Sequence, residues 1–502
     1  MQAGPWRPSE LQPGDAHSGS QNDAHRDVPR WSLPWRGLVS QTRNYRVGPW
    51  RGCRVTTSAD RVCIVGAGPA GLSVARALSR LLIPYDQYER HTDVGGIWDL
   101  DNPGTPMYES AHFISSRKLS GFFDHPMPNS YPDYPSHRQV LDYTREFATT
   151  YGLREQIRFG TTVTDSEHAD DRWTVGLDDG SRHTYRSLIC ATGTTWSPRM
   201  PTIPGQFNGE VRHSVTYRDP MDFRGRRVLV VGLGNSGADI VCDAALIAAA
   251  SFVSVRRGYH VIPKHILGIP ADEFSESGPA LPLRVERPIF TGLLRVLQGD
   301  LTRLGLPKPD HKLLESHPLL NSQLVHHLQH GDVTVKADVA AFEGDRVRFT
   351  DGSSEQVDLV LFATGYDWTV PYVPKEYFRW HDGRPELYLM AFSREHRNLF
   401  GLSFLEVNSS AYTLFDQVSN LVAQYLHDQV HNPDRSAAFD RMIATEHPDL
   451  SGGIHFIDSA RHRSYVDGKA FRTELGRVTD HIGWQPLEPG MFAGLGQGPP
   501  RE

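Results

Sequence analysis

The chain of 502 residues holds only four cysteines, Cys53, Cys63, Cys190 and Cys242, and no two of them form a CxxC pair. That scarcity excludes a disulfide framework or a zinc ribbon, leaves no metal site expected, and points to a reducing compartment, the cytoplasm. No uninterrupted run of about 18 apolar residues occurs, so no membrane span is expected, and Met1 to Ser20 lack the apolar stretch of a secretion signal. Basic residues are not in excess either: 52 Lys and Arg stand against 59 Asp and Glu, for a formal net charge of −7. A chain so charged offers no broad cationic face for nucleic acid, and small molecules are the expected partners. Residues 1–58 lack apolar periodicity and are rich in Pro, Gly, Ser, Asp, His and Arg, so a disordered N-terminal extension is expected there. Its four tryptophans, Trp6, Trp31, Trp35 and Trp50, leave a docking role open, as does a domain that simply begins near Val55.

What is present begins at Arg61. The apolar run Val62-Cys63-Ile64-Val65 reads as a buried parallel strand, followed at once by Gly66-Ala67-Gly68-Pro69-Ala70-Gly71 and then by a helix with Leu72, Ala75, Leu78 and Leu82 at helical spacing before Pro84. In a GxGxxG turn the first glycine permits the tight bend, the second lets backbone N–H groups approach a pyrophosphate, and the third lets helix and strand pack closely. Pro69 and Ala70 then open the helix whose N-terminus faces the phosphates. Tyr85-Asp86-Gln87-Tyr88 reads as the second strand, and Glu89 follows Gly71 by 18 positions. A carboxylate about 20 residues on is placed to accept from ribose hydroxyls. Gly95-Gly96-Ile97-Trp98 comes next, with glycines that let the chain run over a flat ligand and Trp98 to lie beside it.

The pattern repeats in full at Arg227-Val228-Leu229-Val230-Val231, then Gly232-Leu233-Gly234-Asn235-Ser236-Gly237-Ala238-Asp239 and an Ala-rich helix expected to run through Ala250. Asn235 and Ser236 are placed to reach nicotinamide or pyrophosphate, or to cap the helix, and Asp239 is expected in its first turn, where a carboxylate favours the dipole. The following strand, Phe252-Val253-Ser254-Val255, ends in Arg256-Arg257-Gly258 where the first repeat had an acid. A ribose diol needs a carboxylate acceptor, whereas a 2′-phosphate needs cations, so the first loop fits FAD and the second NADPH.

Two near-copies, Leu188-Ile189-Cys190-Ala191-Thr192-Gly193 and Leu359-Val360-Leu361-Phe362-Ala363-Thr364-Gly365-Tyr366, read as strands that return to a sheet and cross between domains, with Gly193, Thr364 and Gly365 near the cofactors. Thr161 to Tyr185 alternates around the turn Asp179-Gly180 and reads as an antiparallel β meander. The expected fold is α/β: two doubly wound, Rossmann-like dinucleotide-binding domains, the NADP domain inserted in the FAD domain. FAD-domain residues are expected at 59–205, the NADP domain at 206–366 with a substrate-pocket insertion at 260–320, and completion of the FAD domain with a C-terminal cap at 367–502.

Between the loops, Phe207-Asn208-Gly209-Glu210-Val211-Arg212-His213-Ser214-Val215-Thr216-Tyr217 has the form FxGxxxHxxxY. With the two Gly loops, Phe362 to Tyr366, Met107-Tyr108-Glu109-Ser110 and Tyr131 to His137, the chain resembles the flavin-containing monooxygenase family of single-component flavoproteins from about Val62 to about Tyr425. The resemblance implies a cycle in which NADPH reduces FAD, O2 adds at the flavin C4a carbon, and the resulting hydroperoxide oxygenates an amine or sulfide, as in dimethylaniline monooxygenases. The cofactor then carries the chemistry, and the protein aligns two rings and keeps water away. His213 and Tyr217 are expected to shape the interdomain linker rather than touch reacting atoms.

The family often carries a Thr-Asn-x-Ser-Lys run where Phe113-Ile114-Ser115-Ser116-Arg117 stands. Ser115 is expected at the flavin, but Ile114, in the Asn position, can neither donate nor accept a hydrogen bond. That departure raises an alternative, an uncoupled NADPH oxidase. The fingerprint is similar also to that of Baeyer–Villiger monooxygenases, which end it with Trp where Tyr217 stands here, so ketone oxidation is a second alternative. A redox-sensing flavoprotein, signalling through its Trp-bearing N-terminus, is a third, and a homo-oligomer stays open. The absence of a redox cysteine near Trp98 and Asp99 removes the disulfide-reductase chemistry. Asn408-Ser409-Ser410 precedes a helix through Leu414, Val418, Leu421 and Leu426 that could aim its N-terminus at the flavin or be a capped surface helix. His326 and His330 have metal-ligand spacing but no evident carboxylate or Cys partner, and read as a solvated helix face. The tail from His431 reads as a cap on the FAD domain.

The charge reversal yields a direct test. Arg256→Ala with Arg257→Ala should raise KM for NADPH by roughly tenfold or more, the loss of at least one charge-assisted hydrogen bond, while KM for NADH stays nearly constant in steady-state assays. Equal effects on both would remove the reason for naming NADPH.

Overall fold

Every residue of Val62–Val65 is buried, and in the computed structural model this run lies inside a seven-stranded sheet. The structure describes residues 58–277, 282–459 and 461–496. The expected N-terminal extension, with Trp6, Trp31, Trp35, Trp50 and Cys53, falls outside the described residues. From one edge the strands are Leu387–Tyr388, Phe392–Ser393, Leu399–Gly401, Ser187–Cys190, Val62–Val65, Tyr85–Tyr88 and Ile157–Arg158. From Leu399–Gly401 onward they run parallel, as helical crossovers require, and the first three are antiparallel neighbours.

A second sheet holds Glu210–His213, Leu359–Phe362, Arg227–Val231, Ala250–Ser254 and Val333–Lys336, all parallel. Its strands come from one continuous stretch, while the first sheet draws on chain from both sides of that stretch. The second fold is therefore inserted in the first. The antiparallel meander forms as expected, from Val163–Ala169, Arg172–Leu177 and Arg182–Tyr185. A four-stranded sheet of Gly205–Phe207, Val339–Gly344, Arg346–Phe349 and Ser354–Gln356 was not foreseen. Both Ala-Thr-Gly strands sit beside the strand that feeds a Gly loop. Each then leads into a short linker strand, Ser197–Pro198 and Tyr366–Asp367, and these two pair antiparallel.

Three expectations about helices need correction. The helix Pro69–Arg80 stops before Leu82, which has a positive φ of 56° and is 55% exposed, because the chain must turn sharply to enter Tyr85–Tyr88. The Ala-rich helix ends at Ile247, and Ala250 already pairs with Arg227 in the sheet, so ladder pairing overrides the helical preference of alanine. The helix Tyr412–His431 starts after Ala411 with no side-chain cap, and it is no surface helix: Leu414, Val418, Leu421, Val422, Tyr425 and Leu426 are buried in the first core. Asn408 instead accepts from Gly468 N at 2.9 Å and donates to Asp467 at 2.9 Å. The tail helices Pro433–Thr445 and Gly468–Ile482 pack against this helix.

One buried ion pair fastens the helix Tyr412–His431 to the first Gly-loop helix. Arg76 and Asp416 meet at 2.9 Å with side chains 0% and 1% exposed. The Arg76 guanidinium also lies over the rings of Phe147, Tyr151 and Phe492, and Asp416 accepts from Phe123 N at 2.7 Å. Burial raises the Asp416 carboxyl above its ordinary value, and Arg76 opposes that rise. Arg76→Ala should leave an uncompensated buried carboxylate and destabilise the fold by about 3–5 kcal/mol. Urea denaturation of the two proteins would check this, and a change under 1 kcal/mol, on the scale of an exposed pair, would contradict it.

Candidate functional site

The two Gly loops share one geometry, and the space around each glycine separates packing from binding. A Cβ on Gly66 would lie 2.5 Å from Ala191 O, and one on Gly71 would lie 2.1 Å from Gly66 O. In the second loop a Cβ on Gly232 would meet Ala363 O at 2.8 Å, and one on Gly237 would meet Gly232 O at 2.1 Å. Backbone packing alone demands those four. The middle glycines differ: a Cβ on Gly68 would find nothing nearer than Gly96 Cα at 3.5 Å, and one on Gly234 nothing within 4 Å. Each middle glycine is the N-cap of its helix, at φ −75° and φ −83°, with no side chain capping it. The N–H groups of each first turn, Pro69 aside, have no partner within the helix, and they start beside a middle glycine that backbone does not crowd, a cradle suited to a pyrophosphate.

Around the first cradle the predicted residues converge. Glu89 is buried at the end of the second strand, where its carboxylate accepts from Ala67 N at 2.7 Å and His91 N at 2.9 Å. Gly95 and Gly96 have φ of 117° and 60°, and a Cβ on Gly96 would sit 3.1 Å from Gly68 Cα, so this turn runs directly over the loop. Ile97 is half-buried and Trp98 buried. Trp98 packs on Phe113 with centroids 5.1 Å apart, and Phe113 on Tyr412 at 5.5 Å, an apolar wall that brings the start of helix Tyr412–His431 to the same place. Ser410 Oγ, just before that helix, is buried without a hydrogen-bond partner. Ser115 accepts from Ser120 at 2.7 Å, and Ile114 is 40% exposed.

At the second loop the side chains are more committed than expected. Asn235 is not a cap: it accepts from Leu320 N at 3.0 Å and donates to Pro318 O at 3.3 Å. Ser236 is exposed. Asp239 lies beyond the first turn, which carries no acid, and its oxygens accept from Tyr108 at 3.1 Å and Asn321 at 2.7 Å, so the helix-dipole reading is wrong. Arg256 is exposed and Arg257 half-buried after the strand Ala250–Ser254, with Arg257 near Asp310 and His462. Thr364 donates to Arg199 O at 2.6 Å, and Gly193 and Gly365 take φ of 81° and 79° at the start of the two linkers.

The fingerprint residues serve this frame. His213 holds Gly365 O through Nε2 at 3.1 Å and accepts from Val215 N through Nδ1 at 3.1 Å, and burial lowers its pKa, so it stays neutral. Tyr217 is fully buried and donates to Asp243 at 2.8 Å. The insertion 260–320 also reaches the first fold: Asp272 accepts from Ser116 N at 2.6 Å, and Tyr134 bonds Lys264 O. Sequence reasoning missed Asp243, Asp272 and His317, whose Nδ1 meets Tyr465 Oη at 2.6 Å. For Asp243 a signal existed, a second carboxylate four residues after Asp239 on an apolar helix. His326 and His330 are exposed, while their neighbour His327 does have a carboxylate partner, Asp332 at 3.0 Å. Cys63, Cys190 and Cys242 are buried free thiols, each raised in pKa by burial and so poorly nucleophilic.

Residues 59–451 match the model of a single protein family, described as flavin-binding monooxygenase-like. The chain belongs to the flavin-binding monooxygenase-like family. Flavin-containing monooxygenase 5 of Oryctolagus cuniculus is 31% identical over 341 residues, 63% of each chain. The N-oxide-forming dimethylaniline monooxygenase 4 of Mus musculus is 33% identical over 346 residues, 62% of this chain and 60% of that one. The chain thus spans less than two thirds of the length of these relatives. Among solved structures, an oxidized steroid monooxygenase bound to NADP superposes with a TM-score of 0.65 at 20% identity, over 84% of this chain and 97% of the other. An S-allyl-L-cysteine S-oxygenase from Allium sativum gives 0.58 at 20% identity, over 87% and 91%. At such identity these likenesses establish the fold alone, two doubly wound α/β units, and the strand order places one inside the other. Among the described residues no helix is long and apolar enough to cross a membrane.

The glycine geometry makes a paired prediction. Gly68→Ala should fold normally yet lose FAD on gel filtration, with retention falling at least about tenfold, one charge-assisted contact's worth. Gly71→Ala should instead fail to give soluble folded protein, because the obstructing atom is backbone. Identical behaviour of both variants would refute the distinction.

Proposed function

We propose that this chain is an NADPH-dependent flavoprotein monooxygenase that carries FAD on the first fold and NADPH on the second and oxygenates a nitrogen or sulfur atom of a small molecule. The observation that carries this reading is the room for a side-chain atom at Gly68, which would meet only ordinary contact with Gly96, and the open space at Gly234, in loops whose other glycines are held by backbone contact, with Glu89 after one loop and Arg256 and Arg257 after the other. The curated relatives named above, one of them N-oxide-forming, supply the heteroatom.

Bound FAD would supply the redox chemistry, accepting a hydride from NADPH and passing one atom of O2 to the substrate. The balance is one NADPH, one proton, one O2 and one substrate in, and NADP+, water and one oxide out. The residues bind and orient. Gly66 to Gly71 and the helix behind them would take the FAD pyrophosphate, and Glu89 the ribose. Gly232 to Gly237 would take the NADPH pyrophosphate, with Arg256 and Arg257 on the 2′-phosphate. Trp98, Phe113 and Tyr412 form an apolar wall that excludes water from the reacting edge. Ser410 Oγ, at the start of a helix with uncapped N–H groups, is available to a polar ring edge. Neutral His213 holds the linker and moves no proton. The reading sits in the cytoplasm, where NADPH is supplied and thiols stay reduced.

Ile114 gives a second reading substance, since its side chain presents no polar atom to the site; NADPH would then be consumed with release of H2O2. The two part in one experiment. Purified full-length protein, FAD, NADPH, dimethylaniline or thioanisole and 18O2 should give one labelled oxide per NADPH consumed. Stoichiometric H2O2 with no labelled oxide would replace monooxygenase by oxidase, and colourless protein that cannot be reconstituted with FAD would remove both.

A further inference from the structure

Within six residues the chain of the first fold serves both cores. Tyr108 and Ala111 pack among Val228, Ile240 and Val253 of the second, whereas Phe113 packs with Trp98 and Tyr412 of the first. A segment this short, at about 3.3 Å per residue, leaves little slack between them. Polar contacts pin its near end to the helix Asn235–Ile247. Tyr108 donates to Asp239 Oδ2 at 3.1 Å, and Ser110 donates to Asp243 Oδ2. From the second fold, Asn321 donates to Asp239 Oδ1 at 2.7 Å and Tyr217 to Asp243 Oδ2 at 2.8 Å. The backbone closes the arrangement: Glu109 N donates to Arg218 O at 2.8 Å, and Arg218 Nη1 to Met107 O at 3.3 Å. Tyr108 and Tyr217 also touch, with ring centroids 5.5 Å apart.

Asp239 and Asp243 stand one turn apart on the same face, so each links one donor from each fold. Apolar side chains would join the folds without the desolvation cost of buried carboxylates. What carboxylates add is direction: hydrogen bonds to an ionised acceptor are shorter and about twice as strong as neutral ones, and they select one register of two surfaces. Along the chain the clasp lies three to five residues before Phe113 and two to six residues after Gly237, so it adjoins both the flavin-side wall and the second Gly loop.

We propose that Asp239 and Asp243 are positioning residues for hydride transfer, which by gripping Tyr108 and Ser110 hold the nicotinamide-bearing fold in one register on the flavin-bearing fold. This rests on the reading of FAD and NADPH given above. Neither carboxylate touches the reacting atoms; they act through the placement of the folds. Hydride transfer needs its two atoms at about 3–3.5 Å, and a displacement of about 1 Å costs on the order of a hundredfold in rate.

The test uses the full-length holoprotein and a variant that removes only the two hydroxyls of the first fold, Tyr108→Phe with Ser110→Ala. Anaerobic stopped-flow mixing with rising NADPH reads the limiting rate of flavin reduction and the apparent Kd. Dithionite reduction followed by O2 reads reoxidation without nicotinamide. The limiting rate should fall about tenfold to a hundredfold, with Kd within threefold, and with reoxidation and FAD content unchanged. Asp243→Asn, which keeps one acceptor oxygen, should recover part of the rate relative to Asp243→Ala. An unchanged limiting rate overturns the proposal, as does a parallel loss of FAD, reduction and reoxidation, which marks plain structural damage. If the double variant is insoluble, Tyr108→Phe alone decides, and a limiting rate within twofold of wild type overturns the proposal. Wild-type flavin that NADPH does not reduce overturns the functional reading and this proposal with it.

Discussion

Two backbone oxygens, those of Gly66 and Gly232, govern both nucleotide folds. Each lies where a side chain on the third glycine of its loop would begin, 2.1 Å from the place a Cβ would occupy. Backbone cannot swing aside as a side chain can, so only glycine is admitted, and the helix settles directly against its strand. Gly66 O is held in turn by Gln87 Nε2 at 2.9 Å, which ties the loop to the neighbouring strand. With helix and strand this close, the helix begins at the carboxyl edge of the sheet, and its first N–H groups face outward over the middle glycine. That approach fixes where each cradle sits, and the acid after one loop and the arginines after the other then set the charge beside it.

The features legible in the sequence are those whose causes are local. Strand, loop, helix and second strand read correctly at both repeats, because apolar runs, glycine spacing and the position of Glu89 or Arg256 are all set within about thirty residues. The meander was legible from alternation around Asp179-Gly180. Element ends were not. Leu82 continues the helical period, yet it sits in a left-handed turn that geometry imposes on the way to the next strand. Ala250 belongs to a helix-forming run, yet it pairs with Arg227. In both cases the path the tertiary fold imposes outweighed a preference worth less than about 1 kcal/mol.

The polar side chains were least legible because their partners lie far along the chain. Asp239 in isolation is an acid near a helix start; beside Tyr108 and Asn321 it is a bridge. Asn235 could serve a cofactor or a cap, and instead holds the strand at Leu319–Leu320 in place. Arg76 and Asp416 carry no mutual signal in the sequence, although each falls on the buried side of its helix. The resemblance carried by FxGxxxHxxxY identified His213 and Tyr217 as fingerprint residues, and their bonds to Gly365 and Asp243 give that fingerprint a physical meaning in the joint between folds.

The insertion of one fold within the other has a bearing on biosynthesis. Strands from Glu210 to Phe362 leave the ribosome as a contiguous set, so the inner sheet can close while translation continues. The outer sheet cannot. Its strand Ser187–Cys190 must wait for Leu399–Gly401, some ten to forty seconds later at about 5–20 residues per second. During that interval one flank of the outer sheet is an unpaired apolar edge, and a nascent chain in that state is open to wrong pairing with its neighbours on a polysome.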